Sequence, residues 1–177
     1  LELPDDGTLG LPELARGFSG YGLDRLRSGG MVNPIALVCG AEGTLGILVE
    51  ATIDLSPIPD LTRLVVASYA SFGDALEDAV ALRETGPVAI ESFDETTLER
   101  GRSSPAWPAL GDAIGNHSGA VLLLEYDGEA ATDLDAIMAT ISATGRSRAR
   151  QVVDGAAEQA SIWKVRADAV GLLAKVA

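Results

Sequence analysis

Two places in this sequence combine residue types and spacing that could do chemistry. The first is Cys39-Gly40-Ala41-Glu42-Gly43-Thr44-Leu45-Gly46-Ile47, where glycines recur every third residue at 40, 43 and 46. With no Cβ in the way, such a loop lets backbone N–H groups come close to a ligand. No lysine follows the last glycine, so the segment is not a phosphate-binding P-loop, and its spacing is not that of a dinucleotide fingerprint. On its residues alone it is equally a tight strand-to-strand turn. The second place is Arg166. Lys164, Asp168, Gly171 and Lys175 fall at helical spacing on one polar stripe. Opposite lie Ile162, Val165, Ala169, Leu172 and Val176, flanked by Trp163, Val170 and Leu173, and Arg166 falls inside that apolar face. A buried guanidinium is costly unless an anion meets it. A carboxylate elsewhere in the protein would serve, and so would a substrate carboxylate held by the planar fork of arginine.

Other residues carry weaker signals. His117, the one histidine, stands in Gly115-Asn116-His117-Ser118-Gly119, a turn before an apolar run, and is read as a solvated turn residue. Glu91, Asp94, Glu95 and Glu99 could pair for acid–base work, but along a strand end and a polar helix they read as a solvated face. Cys39 is read as a small buried hydrophobe at a strand end rather than a redox or cofactor-linking group. Met138, at helical spacing, is read as core.

The elements that must position these residues can be read from period and punctuation. Residues 35–39 and 47–55 read as short strands on either side of the glycine loop. Pro57-Ile58-Pro59-Asp60 suits an extended linker, and a domain boundary is expected there, dividing residues 1–59 from 60–177. Beyond it, residues 64–69 form a β-rich run, and Ser71 with Asp74 three residues on marks a helix start. Phe72, Leu76, Ala79 and Val80 carry that helix to Gly86-Pro87. Strands are expected at 88–93, 120–126 and 148–153. Between the first two, residues 103–108 with two prolines read as a loop. Leu134, Ile137, Met138 and Ile141 mark a second helix closed by Gly145, and a third starts near Ala156. The order β-α-β, β-α-β predicts an α+β, ferredoxin-like (split βαβ) unit, four antiparallel strands carrying two helices on one face.

The chain has 177 residues, enough to bury a core, and 26 acidic against 13 basic residues, a net charge of −13. That balance argues against nucleic acid and anionic membranes as partners. No apolar run approaches the roughly 18 residues of a transmembrane segment. No signal peptide is visible at the start, and one cysteine permits neither an intrachain disulfide nor a cysteine-based metal site. A cytoplasmic protein is expected. The chain starts at Leu1 and stops at Ala177 with a helical pattern still running, so a piece of a longer protein is expected.

The residues of the glycine loop carry a resemblance. Gly-Ala-Glu-Gly-Thr-Leu-Gly-Ile, then Glu50-Ala51-Thr52 and Leu55-Ser56-Pro57, resembles the G-[ST]-E-G-T-L-G-I…E-A-T…L-x-P signature. That signature belongs to FAD-linked oxidases of the vanillyl-alcohol oxidase and para-cresol methylhydroxylase type. Ser19-Gly20-Tyr21-Gly22-Leu23-Asp24-Arg25-Leu26 resembles the G-Y-x-L segment that precedes it. The resemblance implies that residues 1–59 end a PCMH-type FAD-binding domain and that Gly40, Ala41, Glu42, Gly43, Thr44, Gly46 and Ile47 line the FAD. Ala41 stands where the family usually has serine or threonine. Ile162-Trp163-Lys164-Val165-Arg166 is similar to the W-x-x-R pattern in the substrate domain of D-lactate, glycolate and D-2-hydroxyglutarate dehydrogenases. By that likeness Arg166 is a substrate-carboxylate ligand and residues 60–177 begin the substrate domain. Ala167 stands where the family usually has glutamate, with Asp168 one further.

The implied reaction is oxidation of a small D-2-hydroxy acid by hydride transfer to the flavin. The family's H-x-G-D-G-N-x-H segment does not occur in this chain, and the base is expected in the missing downstream part. A pyrophosphate loop is expected upstream, so the isolated chain should bind FAD weakly or not at all. A fused iron–sulfur domain is a further expectation from the style of linker and strands. Two rivals remain: a non-catalytic ferredoxin-like binding module, and a flavoenzyme of the same FAD fold with different chemistry.

Overall fold

The computed structural model describes residues 20–28, 30–115 and 119–173. The chain divides into two compact units, Leu1–Ser56 and Pro57–Ala177.

In the first unit a 3-10 turn, Leu23–Arg25, leads into a small antiparallel ladder of β1 (Arg27–Ser28) and β2 (Met31–Val32), followed by a short helix, α1 (Ile35–Val38). The expectation of a strand at 35–39 is therefore wrong. Pro34 sits at φ −67°, ψ −20°, already in the helical region, and the chain continues in that turn. Cys39 follows the helix and is exposed, not buried at a strand end. Residues 47–55 form no strand either. Their alternation is present, but a strand needs a neighbour to take its N–H and C=O groups, and none pairs with them among the described residues. Ile47 and Val49 are over 90% exposed as a result.

The second unit holds a four-stranded antiparallel sheet of β3 (Thr62–Tyr69), β4 (Ala89–Phe93), β5 (Ala120–Asp127) and β6 (Ser147–Val153), in the order β4-β5-β3-β6. The crossovers are α2 (Phe72–Leu82) and α5 (Leu134–Thr144). This is the expected ferredoxin-like order. Ser71 caps α2, its Oγ accepting from Asp74 N at 3.1 Å, and a left-handed Gly145 closes α5 at φ 68°.

Both faces of the sheet are covered, which explains why residues 120–126 are apolar without alternation. Val65, Ala67, Tyr69, Leu122, Leu124 and Tyr126 pack against Ala75 and Leu82 of α2 and Ile137 and Ile141 of α5. The opposite face, to which the expected ferredoxin-like unit assigns no helix, is formed by Leu64, Val66, Phe93, Val121, Leu123 and Val153. It lies under α3 (Glu95–Gly101), α4 (Trp107–Ile114) and α6 (Ala156–Leu173), through Leu98, Leu110, Ile114, Ile162 and Val165. The predicted loop at 103–108 runs into α4 because Pro108 falls in its first turn, where a missing N–H costs nothing.

Candidate functional site

Each unit carries a candidate site of its own. In the first, the glycine loop folds back on the Gly-Tyr-Gly segment. Gly40 stands at φ +93°, and a Cβ there would meet Gly20 O at 2.2 Å, so both the backbone angle and the packing demand glycine. Gly22 N donates to Ala36 O at 2.9 Å. Tyr21 Oη lies 2.8 Å from Thr44 Oγ1, which donates to Ala41 O at 2.6 Å. Among the described residues Glu42 is the non-glycine residue with positive φ, at 49°, and Gly43 follows at φ +80°. The N–H groups of Glu42, Gly43, Leu45, Gly46 and Ile47 donate to no acceptor among the described residues. Beside them lies a groove of about 350 Å³ lined by Val38, Ala41, Gly43, Leu45, Gly46, Ile47 and Leu48. Two segments that the sequence marks separately, 20–22 and 40–44, are thus one piece of structure.

In the second unit the structure joins two other residues read separately. Arg166 of α6 donates from Nε (3.3 Å) and Nη2 (3.0 Å) to one oxygen, Oε2, of Glu91 on β4. Glu91 pairs in register with Leu123 and shares its face of the sheet, the face that α6 covers. It is not part of a solvated face. Arg166 is not sunk in the apolar face of α6 either: its side chain is 40% exposed and that of Glu91 30%. The buried stripe of α6 is narrower than its apolar residues suggest. Among the side chains described it comprises Ile162, Val165 and Ala169, while Val170 is 42% exposed, so Arg166 lies at the rim, where a long side chain keeps its head in water.

The other flagged residues have structural duties. Asp94 caps α3, accepting from Thr97 N at 2.7 Å, and hydrogen bonds from Thr97, its side chain foremost and its backbone N–H next, hold the Asp94 carboxyl below the usual range. Glu95 and Glu99 are exposed, as expected. Met138 is partly buried against the core on the α2/α5 side. His117 lies outside the described residues. Asp168 accepts from Ser104 Oγ at 2.6 Å and from Lys164 Nζ at 3.0 Å, and these partners, Ser104 foremost, lower its pKa. It fastens α6 to the turn between α3 and α4 and does not touch Arg166.

Sequence reasoning missed Asp78. Its side chain is fully buried, accepting from Thr144 Oγ1 (2.8 Å) and Arg146 Nη1 (3.0 Å). The signal was available, because Asp78 is in helical register with Ala75 and Leu82, both buried. Burial and the nearby Asp78 carboxylate push the Tyr69 phenol well above its ordinary pKa.

Comparison with known proteins bears on this arrangement. Residues 58–177 match the family model described as FAD linked oxidases, C-terminal domain. The chain is 33% identical over 176 residues to a D-2-hydroxyglutarate dehydrogenase of Pseudomonas putida, covering 93% of this chain and 18% of that protein. It is 33% identical over 105 residues to the D-2-hydroxyglutarate dehydrogenase of Pantoea ananatis, covering 58% and 10%. To glycolate oxidase subunit GlcD of Bacillus subtilis it is 29% identical over 170 residues, covering 93% and 32%. The chain thus spans a third or less of the length of these relatives. Since the matched stretch takes in the sheet and the helices that carry Glu91 and Arg166, the chain belongs to the family of FAD-linked oxidase C-terminal domains.

Proposed function

We propose that the intact protein carrying this chain is an FAD-dependent dehydrogenase of a small D-2-hydroxy acid of the D-lactate or glycolate type. In this reading residues 1–59 end the FAD-binding domain and residues 60–177 begin the substrate domain. The observation that carries it is the open backbone of residues 42–47, free N–H groups beside an apolar groove, in a chain whose second unit matches the FAD-linked oxidases. Those residues fit a flavin nucleotide: N–H donors suit its polar edges and apolar walls suit its ring system. Gly40, Ala41, Glu42, Gly43, Thr44, Gly46 and Ile47 would hold it. The bound flavin supplies the hydride acceptor. The task of Arg166 is to orient the substrate through its carboxylate, which lowers the entropic part of the barrier. The relatives named for D-2-hydroxyglutarate and glycolate support a hydroxy acid as substrate.

No helix among the described residues is long and apolar enough to cross a membrane. A cytoplasmic location and a fused iron–sulfur domain complete the proposal, and iron and acid-labile sulfide in the intact protein test the latter.

The primary test is the visible spectrum of the intact protein before and after adding D-lactate, glycolate and D-2-hydroxyglutarate. A flavin band bleached by one of them is the expected result and names the substrate. A flavin band that none bleaches transfers the fold to different chemistry, and a colourless protein overturns the flavin assignment. For Arg166, an Arg166→Ala variant that keeps its flavin but leaves the KM of the hydroxy acid unchanged removes the carboxylate assignment.

A further inference from the structure

A guanidinium has two edges on which a carboxylate can dock, one made by Nε and Nη2 and the other by Nη1 and Nη2. In this fold the first edge is taken. Both of its donors converge on Glu91 Oε2, at 3.3 and 3.0 Å. The two hydrogens of Nη1 have no acceptor among the described residues, and the side chain is 40% exposed. The outward edge is therefore open to a planar anion, while the inward edge is held from β4.

The backbone positions of the two residues are set independently of their attraction. Glu91 lies two residues from fully buried Phe93 on the same strand, and Arg166 follows fully buried Val165 on α6. With both Cα positions fixed by the core, what the pair can still decide is the direction of a long, flexible side chain.

We propose that Glu91 is the positioning residue for Arg166, holding the Nε–Nη2 edge so that Nη1 and Nη2 face a single substrate carboxylate end-on. This rests on the reading of Arg166 given above. It assigns Glu91 no contact with substrate, and it requires that Glu91 stay in place when the carboxylate arrives.

The test uses the intact, flavin-loaded protein and steady-state kinetics with D-lactate, glycolate and D-2-hydroxyglutarate. Glu91→Gln keeps size and an acceptor oxygen but removes the charge. Exchanging a charge-assisted for a neutral hydrogen bond should raise KM about three- to tenfold and leave kcat within about twofold. Glu91→Ala should raise KM further. Arg166→Lys removes the two-edged fork, and in that background Glu91→Gln should add nothing to KM, a coupling that a merely structural glutamate would not produce. Flavin absorbance and thermal midpoint identify any variant that loses its fold. If Glu91→Gln leaves KM unchanged, Glu91 does not position Arg166. If it lowers KM, Glu91 is instead a competing anion that substrate must displace, and the proposal is overturned. Should Arg166→Ala itself leave KM unchanged, the underlying reading of Arg166 fails, whatever Glu91 does.

Discussion

The helix that carries Arg166 is tied to the sheet through the buried amide of Gln159, and replacing that residue measures the tie. Gln159 Nε2 donates to Val153 O at 2.8 Å and to Thr62 O at 3.1 Å, and Oε1 accepts from Thr62 Oγ1 at 3.2 Å. One side chain thus bridges α6 to β6 and β3. Each neutral bond contributes about 1 kcal/mol net, the long partly buried one less, so Gln159→Leu should cost about 2–3 kcal/mol. Leucine preserves the packing volume, which keeps a cavity term out of that figure. Urea unfolding of the 177-residue chain followed by far-UV circular dichroism reads it directly, with the slope against urea unchanged.

Gln159→Glu sharpens the test. It turns a carboxylate towards two carbonyl oxygens in a buried place, which raises the folded-state pKa of the new acid above its unfolded value of about 4.3. Such a group binds its proton more tightly in the folded state. The variant should therefore come closest to the parent chain below that value and fall behind as pH rises through the folded pKa. A loss under about 0.5 kcal/mol for Gln159→Leu, within the scatter of surface substitutions, would mean that the carbonyls are satisfied elsewhere and the bridge reasoning is wrong.

Three further outcomes follow from the same geometry. Asp94→Ala should cost about 1 kcal/mol through loss of the α3 cap while Asp94→Asn and Glu95→Ala stay near the parent in the same urea assay; equal losses at 94 and 95 would deny the cap. Gly40→Ala, whose Cβ meets Gly20 O, should cost the intact protein most of its flavin, whereas Gly73→Ala in α2, where a Cβ meets nothing closer than Ser71 Oγ at 3.8 Å, should keep it, as absorbance after gel filtration would show. Asp168 has a depressed folded pKa, so its contribution is present above the unfolded value and lost as pH falls through the folded one. Asp168→Asn should accordingly flatten the acid side of a thermal-midpoint profile below about pH 4 and change little at pH 7 in its slope.

The ferredoxin-like order was legible because each of its signals is local. Ser71 and Gly145 punctuate helices whose apolar period needs no tertiary knowledge, and β3 and β5 are apolar, strand-length runs. Of the second helical layer, the start of α6 near Ala156 was legible, but α4 and the packing of the layer on the sheet were not, for the opposite reason. Pro108 looks like a loop residue until one knows that it falls in a first turn, and α3 is polar outside Leu98, so its burial depends on the sheet beneath it. The first unit misled in another way. Residues 47–55 have strand composition, but pairing is a property of two segments and only one is visible in a pattern. In the site, the type of Arg166 was informative and its depth was not. Periodicity ranks faces of a helix, yet it cannot say how far the neighbouring layer extends over them. The pairing of Glu91 with Arg166 escaped for the same reason: the two are 75 residues apart, and an edge strand gives no sign of which helix crosses it.

The depth of that pair bears on what it can do. With both side chains a third or so exposed, an ion pair of this kind contributes about 0–1 kcal/mol to stability and is screened by salt. That is too little to register α6 on the sheet, a task that Gln159 and the buried Ile162, Val165 and Ala169 already perform. A pair deep in the core would hold its arginine more firmly, but its donors would all face protein and none could meet a ligand. A fully exposed arginine would offer every donor and fix none of them in direction. The rim between β4 and α6 lies between these limits: the core fixes the backbone, one edge of the guanidinium is held, and the other is left to water. Orientation rather than stability is what such a pair supplies, and it is what a carboxylate-binding arginine requires.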